Sequence, residues 1–400
     1  MAFLTAEDGR LNTQELYKEV AQRVGIDVTQ LDEKVPIGAT GQRHSLLKRK
    51  IRWFQQELRR MNLIKKVDGE RGLWQLTEKS KKKKPLMQAL PNVGLVAIST
   101  NLGLAIWGSC NRVFPHLDTP ISLVISSPPY PIQKGRAYGK VTQKDFVDWI
   151  CRALEPIVKN LAPGGSICLN LSNDCFIKGS PARSTYWERL TIALEDRFEL
   201  SKMDTLIWEN MSKPPGPTPW ASKERFQLNV AWEPILWMTN DPAKVMSNNQ
   251  RVLQPHSKKH LKLIAGGGEK RDAVYSDGAY RLHKGSFGKL TDGKIPRNVI
   301  QMGHRCADAI QYRKDAARMG ITPHGAPFPL KLAKFLIEFL TEPEQLVVDP
   351  FGGKLTVGKA AEELDRLWLV TEWILDYIKA SIPRFAGYEG FHAHEAISWH

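Results

Sequence analysis

Ile121-Ser-Leu-Val-Ile-Ser-Ser-Pro-Pro-Tyr130 is the stretch that decides the fold. Its first six residues suit a strand buried on both faces, and the two prolines then end any ladder. About 220 residues later Leu346-Val-Val348 stops in the same manner at Asp349-Pro-Phe-Gly-Gly353. Strands buried on both faces belong to parallel sheets sandwiched by helices, and such sheets place their ligands where strand gives way to loop. The two crossings are therefore expected to lie side by side.

Working outward, Ala105-Ile-Trp107 reads as a further buried strand, and Phe146, Trp149, Ile150, Ala153, Leu154 and Ile157 mark a helix. Pro163-Gly-Gly165 then turns the chain into the strand Ser166 to Leu171, which completes a parallel βαβ unit. Thr205 to Trp208 and Pro234 to Met238 read as strands around Lys213-Pro-Pro-Gly-Pro-Thr-Pro219, a loop stiffened by four prolines. Periodicity fades over 241–320, which reads as a loop-rich insertion. It resumes with the helix Leu332 to Leu340, the strand Leu346 to Val348, the helix Leu355 to Leu364 and the strand Leu367 to Val370.

The amino-terminal segment has a different rhythm. Leu16, Tyr17, Val20 and Val24 form one helical stripe, and Leu47, Ile51, Phe54, Leu58 and Met61 a second. Leu63 to Val67 and Leu73 to Leu76 flank Asp68-Gly-Glu-Arg-Gly72 as a hairpin. Helix, turn, helix and hairpin make the outline of a winged helix. The expected division is a winged helix over 1–80, a basic linker over 81–92, a catalytic half over 93–240, the insertion over 241–320 and a cofactor half over 321–400.

The net charge of +15 is unevenly spread: Lys and Arg exceed Asp and Glu by eight in residues 1–85 and by nine in 241–320, while the rest carries a deficit of two. Two basic segments on a near-neutral body suggest a nucleic-acid partner, through neutralised phosphates and released counterions. Arg43, Lys48, Lys50 and Arg52 in the winged helix, and Arg225, Lys258, Lys259 and Arg297 further on, are the candidate contacts. Cys110, Cys151, Cys168, Cys175 and Cys306 contain no C-x-x-C spacing, which argues against a disulfide framework and a zinc ribbon. The absence of an eighteen-residue apolar run or a signal-like amino terminus leads to an expectation of a cytoplasmic protein. His304, His392 and His394 lack companions at metal spacing and are read as structural, and no metal is expected.

The loop residues carry chemistry. A side-chain oxygen at Ser127 and the carbonyl of Pro128 can accept the two N–H bonds of an exocyclic amine and bias its lone pair toward an electrophile. Pro129 helps keep those acceptors rigid, and Tyr130 offers a face on which an extrahelical base can stack. In the partner loop Asp349 can accept from a cationic amine, Phe351 supplies an apolar wall, and Gly352 and Gly353 let backbone approach a ligand. Glu372, about twenty residues after the glycines, suits a ribose diol. NAD would satisfy that layout too, but G-x-G-x-x-G is missing, and Val348 and Leu355 break a Walker A loop. None of the cysteines follows a proline, which disfavours nucleophilic attack on C6 of cytosine. Asn170, Asn173 and Asp174 either line the target pocket or cap a strand; Trp208, Trp232 and Trp237 are read as core.

Over roughly 93–388 the chain resembles the amino-methylating DNA methyltransferases of the permuted β arrangement, in which the catalytic motif precedes the cofactor motif. The resemblance implies a Rossmann-like α/β fold with helices on both faces, S-adenosylmethionine as cofactor and a target-recognition region at 241–320. Ser-Pro-Pro-Tyr typifies members acting on N4 of cytosine, so a sequence-specific cytosine-N4 enzyme is expected. His324-Gly-Ala-Pro-Phe328-Pro329 resembles the motif that closes over the cofactor, Asp349 to Gly353 its loop, and Glu372 its ribose carboxylate. The family usually continues the glycines with Ser-Gly or Ser-Asn and then Thr-Thr. Here Lys354-Leu355-Thr356-Val357 stands instead, leaving Lys354 either to meet the methionine carboxylate or to point into solvent. The first 70 or so residues also resemble the winged-helix domain of Mrr-type restriction proteins, which implies DNA contact or a dimer surface. A cognate restriction endonuclease is the partner such an enzyme implies. Adenine N6 methylation, a non-catalytic DNA-binding regulator and a glutamine or RNA methyltransferase are the rivals, the last expected to place its cofactor glycines first.

Overall fold

The computed structural model describes all residues except 1–5, 7–8, 24, 38–41, 61–63, 78–86, 90–93, 133–140, 327 and 398–400. The chain divides into two compact units, Met1–Leu86 and Met87–His400.

In the first unit β1 (Arg10–Asn12) leads into α1 (Thr13–Arg23), and a small hairpin of β2 (Val35–Ile37) and β3 (Gln42–His44) precedes α2 (Leu46–Arg60). The wing is β4 (Ile64–Lys66) and β5 (Leu73–Leu76), with β1 closing an antiparallel sheet of order β1-β5-β4. Leu16, Ile64 and Trp74 form its buried centre, with Val20, Ile51 and Leu58 of the expected stripes packed around them. Val24, Met61 and Leu63 lie outside the described residues.

The second unit is built on a sheet that is ten-stranded among the described residues. Its first edge arrives with β6 (Leu95–Ser99) and β7 (Gly103–Trp107), followed by the single turn α3 (Cys110–Val113). Then β8 (Ile121–Ser126), α4 (Phe146–Lys159) and β9 (Leu161–Asn170) form the expected βαβ unit. Helix α5 (Tyr186–Phe198) leads to the antiparallel pair β10 (Ser201–Glu209) and β11 (Trp232–Thr239). The carboxyl-terminal part contributes α8 (Leu330–Leu340), β15 (Leu346–Asp349), α9 (Thr356–Glu362), β16 (Leu367–Glu372), α10 (Leu375–Lys379) and β17 (His392–Ala393).

Between them, the segment 241–320 is more regular than expected. It holds α6 (Lys258–Ala265), the hairpin β12 (Ala273–Tyr275) and β13 (Tyr280–Leu282), strand β14 (Val299–Gln301) and the helix α7 (Ala307–Arg318). β14 joins the edge of the large sheet parallel to β10. Ala309, Tyr312 and Ala316 bury one side of α7 at helical spacing. Two of the three are alanines, too small to raise an apolar signal above the charges around them.

Strand order is β14-β10-β11-β9-β8-β15-β16-β7-β6-β17, with β9, β8, β15, β16 and β7 mutually parallel. Side chains alternate between two apolar layers: Val347, Trp368 and Val370 pack with α8 and α9 on one face, Val348 and Leu369 with α4 and α5 on the other. From β8 the chain crosses outward to β9, and from β15 it crosses the other way to β16. That reversal is the topological switch point, where the ends of neighbouring strands splay open.

Smaller expectations also meet their outcome. Pro163 to Gly165 lie within β9 rather than in a turn before it. Met87 to Ala89, expected as linker, are docked by Leu375 N–H to Met87 O (2.8 Å) and Ala89 N–H to Trp373 O (2.8 Å). Trp208 and Trp237 are core, and Trp232 is half-buried. His392 lies in β17 and His394 donates its N–H to Ala97 O; His304 is hydrogen-bonded to Ser212.

Candidate active site

Strands β8 and β15 run side by side and parallel, Val347 opposite Leu123 and Val348 opposite Val124, so both proline-bearing loops leave the carboxyl ends of neighbouring central strands. The last side chain of β8 ties them: Ser126 Oγ–H donates to Asp349 Oδ1 at 2.6 Å. Between the loops lies a cavity of about 310 Å³ whose wall includes Ser127, Pro128, Pro129 and Tyr130 on one side and Pro350, Phe351, Gly353 and Glu372 on the other. The two crossings read from the sequence therefore share one space.

On the catalytic side, Ser127 Oγ and Tyr130 Oη are 2.7 Å apart. Asn170, at the end of β9, donates from Nδ2 to Tyr130 Oη at 3.1 Å and to Glu233 Oε2 at 3.0 Å, and Lys213 Nζ meets Glu233 Oε1 at 3.2 Å. The Tyr130 ring is thus held by its hydroxyl at a fixed angle to Ser127. Asn173 and Asp174 do not line the cavity; burial raises the Asp174 carboxyl against Lys213 and Arg183.

On the cofactor side, Glu372 accepts Gly353 N–H at 2.6 Å and Ile374 N–H at 2.7 Å. Burial nevertheless pushes its carboxyl up to about 8, against those two bonds. Gly353 has φ +53°, and a Cβ there would sit 3.3 Å from the His324 ring, so the position favours glycine on both counts. Gly352 serves packing instead: a Cβ would lie 2.2 Å from Val370 Cγ1.

Several expected cofactor contacts are placed elsewhere. Asp349 is buried behind the loop, accepting from Ser126 and from Phe351 N–H at 3.0 Å, and burial raises it to about 7. It braces the loop and does not reach the cavity. Phe328 packs into the core and Pro329 starts α8; of the 324–329 turn, His324 and Ala326 line the cavity. Thr356 is buried in α9. Lys354 takes neither expected course. Its side chain is 1% exposed and turns inward to Asp308 Oδ2 at 2.6 Å, beside the Tyr312 ring.

Asp308 is the residue the sequence reading missed. It opens α7 and also accepts Arg384 Nε at 2.7 Å, Arg384 Nη2 at 2.9 Å and Lys359 Nζ at 3.2 Å. Burial pushes its carboxyl up, but Arg384 and Lys354 together hold it well below the usual carboxylate range. The same cluster fixes the cofactor loop, because Lys354 O accepts from Ser381 Oγ at 2.9 Å and from Arg384 Nη1. Tyr312 Oη accepts His324 N–H at 3.0 Å. Leu355 follows at φ +58° with its side chain fully buried, a left-handed conformation that glycine or asparagine adopts at lower cost.

Other cavity residues were legible only as core or passed over. Trp149, from the α4 stripe, lies 5.2 Å from Phe351 between ring centroids. Ser109, Cys110 and Asn111 line the cavity where β7 ends, as do Trp373 and Tyr377. Burial drives the Cys110 thiol up to about 12, so it is no thiolate nucleophile near neutral pH.

The expected phosphate contacts are divided between the two units, and within the second unit none of them lines the cavity. Lys48 is paired with Asp32 at 2.5 Å, Arg52 Nε donates to Tyr17 Oη at 2.6 Å, and Arg43 donates to Lys34 O at 2.9 Å. Lys50, Arg225, Lys258, Lys259 and Arg297 have exposed side chains, Arg297 beside a groove of about 690 Å³ against β14.

Residues 121–383 match the DNA methylase family, and residues 1–84 match the Mrr N-terminal domain. The chain is 35% identical over 272 residues to the type II methyltransferase M.PvuII of Proteus hauseri, covering 67% of this chain and 79% of that protein. It is 24% identical over 277 residues to the type II methyltransferase M.BglII of Bacillus subtilis, covering 68% and 65%. Among solved structures it is similar to the PvuII DNA methyltransferase (cytosine-N4-specific), with TM-score 0.56, 30% identity and coverage of 72% of this chain and 87% of that one.

Proposed function

The chain belongs to the DNA methylase family, and we propose that within it this protein methylates N4 of a cytosine flipped out of duplex DNA, using S-adenosylmethionine. The carrying observation is the single cavity in which Ser127 to Tyr130 face Phe351, Gly353 and Glu372. The Ser-Pro-Pro-Tyr loop and the relative named for cytosine-N4 specificity support the choice of base.

The residues present fit an adenosine-bearing cofactor. Glu372 provides a carboxylate for the ribose diol, its position fixed by two backbone N–H groups, and Phe351, Trp149 and Trp373 supply aromatic walls. Gly353 leaves open the space that a Cβ would take beside His324. Bound there, S-adenosylmethionine supplies a methyl group on a sulfonium, and transfer converts it to a thioether while the amine nitrogen gains the carbon and loses a proton to solvent.

The rest belongs to this chain. Ser127 Oγ and the Pro128 carbonyl accept the two amine N–H bonds, drawing the nitrogen toward pyramidal geometry and turning its lone pair outward. Tyr130 stacks on the pyrimidine, and the bond from Asn170 to its hydroxyl keeps ring and serine in register. Because the acceptors are prearranged and the cavity walls are largely apolar, alignment and exclusion of water supply most of the rate.

The exposed basic residues of both units, and the target-recognition role of 241–320, belong to the same proposal. So do a cytoplasmic setting, a homodimer and a cognate restriction endonuclease, the type II designation of the relatives bearing on the last of these alone. The deciding experiment is expression in a host without other DNA methylation, followed by mass spectrometry of nucleosides and sequencing of modified bases. N4-methylcytosine in one sequence context is expected. N6-methyladenine would reassign the base, and an unmodified genome with intact protein would overturn the reading.

A further inference from the structure

A second feature lies beside the base side of the cavity. The loop between β10 and β11, residues 210–231, leaves and returns at one point, where Lys213 Nζ and Glu233 Oε1 are 3.2 Å apart. Glu233 is bonded to Asn170 and Asn170 to Tyr130, so the loop springs from the network that holds the stacking ring. Pro217, Pro219 and Trp220 of this loop help enclose a second hollow of about 350 Å³ together with Ile132, two residues past Tyr130. The loop also exposes apolar side chains: Leu228 is 87% exposed, Met211 72% and Phe226 58%, with one side of the Phe226 ring beside Trp220 at 5.8 Å between centroids.

Large side chains so exposed on one loop are unfavourable in water and call for an occupant. The loop is rigid enough to present them. Four prolines stiffen its first half, Phe226 and Gln227 N–H both bond Trp220 O, and Val230 N–H bonds Gly216 O at 2.8 Å. Lys223 and Arg225 stand exposed just before Phe226, Arg225 in a left-handed conformation at φ +60°. Apolar tips next to cations match one surface in particular, a duplex from which a base has been withdrawn: an empty slot between stacked neighbours, bordered by phosphates.

We propose that Phe226 and Leu228 insert into the DNA stack as a wedge that fills the place of the flipped base, with Lys223 and Arg225 on the adjacent phosphates. The inference rests on the base-flipping reading above. An apolar side chain in the slot restores stacking contacts on both sides, so it stabilises the extrahelical state without touching the reaction itself. Flipping, not chemistry, is the step it accelerates.

The test uses the full chain and a synthetic duplex carrying the context found by sequencing. Phe226→Asn and Leu228→Asn change exposed side chains, and unaltered cofactor affinity by calorimetry confirms the fold of each. On the paired duplex each variant should turn over about tenfold more slowly than wild type, equivalent to about 1.4 kcal/mol. When the target cytosine is mispaired, so that extrusion is already easy, variant and wild type should agree within twofold. Leu228→Met should retain the paired-duplex rate. Equal rates on the paired duplex, or the same deficit on both duplexes, would overturn the wedge. A wild-type protein that leaves both duplexes unmodified would instead remove the methyltransferase reading beneath it.

Discussion

Replacing Asp308 with asparagine should cost far more stability than replacing the lysine it holds. Asp308 is 7% exposed and is shared by Lys354, Lys359 and Arg384, whose side chains are 1%, 16% and 2% exposed. Asp308→Asn leaves the buried Lys354 and Arg384 facing one another without that counterion, while Lys359 keeps Glu363 at 3.6 Å, and breaking a buried pair in this manner typically costs about 3–5 kcal/mol. Lys354→Met removes one cation while its stem volume stays filled. Asp308 then keeps both Arg384 contacts, at 2.7 and 2.9 Å, so the loss should stay near 1 kcal/mol. Combining the two substitutions should recover part of the Asp308 loss, a coupling of about 1–3 kcal/mol. Urea unfolding followed by tryptophan fluorescence reads all three, since Trp149, Trp368 and Trp373 lie in the same unit. The depressed folded pKa of Asp308 sets the sign with pH: its contribution is present above the ordinary carboxylate range and disappears as acid protonates it. If Lys354→Met proved as damaging as Asp308→Asn, or the pair showed no coupling, the account of a shared counterion would be wrong.

Ser127→Ala should leave cofactor affinity nearly intact while lowering kcat by a factor on the order of 10²; calorimetry beside single-turnover kinetics separates the two, and equal losses would remove the assigned role. Glu372→Gln should weaken S-adenosylmethionine by roughly tenfold to a hundredfold, the range of a lost bond to a charged acceptor, and wild-type affinity should tighten between pH 6.5 and 8.5 as the carboxyl held at about 8 ionises. Glu372 and Asp349 are both raised, so the ligand-free protein should lose stability as pH climbs from the usual carboxylate range through about 8 and about 7 respectively, which urea midpoints at pH 5.5 and 8.5 would reveal. DNA affinity should fall steeply with salt if the exposed basic residues meet phosphates; a flat dependence in fluorescence anisotropy would contradict that.

The sequence by itself determined the two strand-to-loop crossings, the order in which they occur and the place of Ser127 to Tyr130 on the space between them. Those signals are local: a strand buried on both faces, and prolines that end its ladder where the loop begins. Gly353 and Glu372 were legible for the same reason. The segment 241–320 was not, because α7 buries alanines and β12 to β14 are three residues each, too short to establish a period. Only the tertiary structure decided where Lys354 and Asp349 point, that Asp308 joins the cofactor loop from 46 residues away, and that Asn170 and Glu233 brace Tyr130. A buried polar group is placed by whichever partner offsets its lost hydration, and that partner comes from an element brought near only when the chain folds.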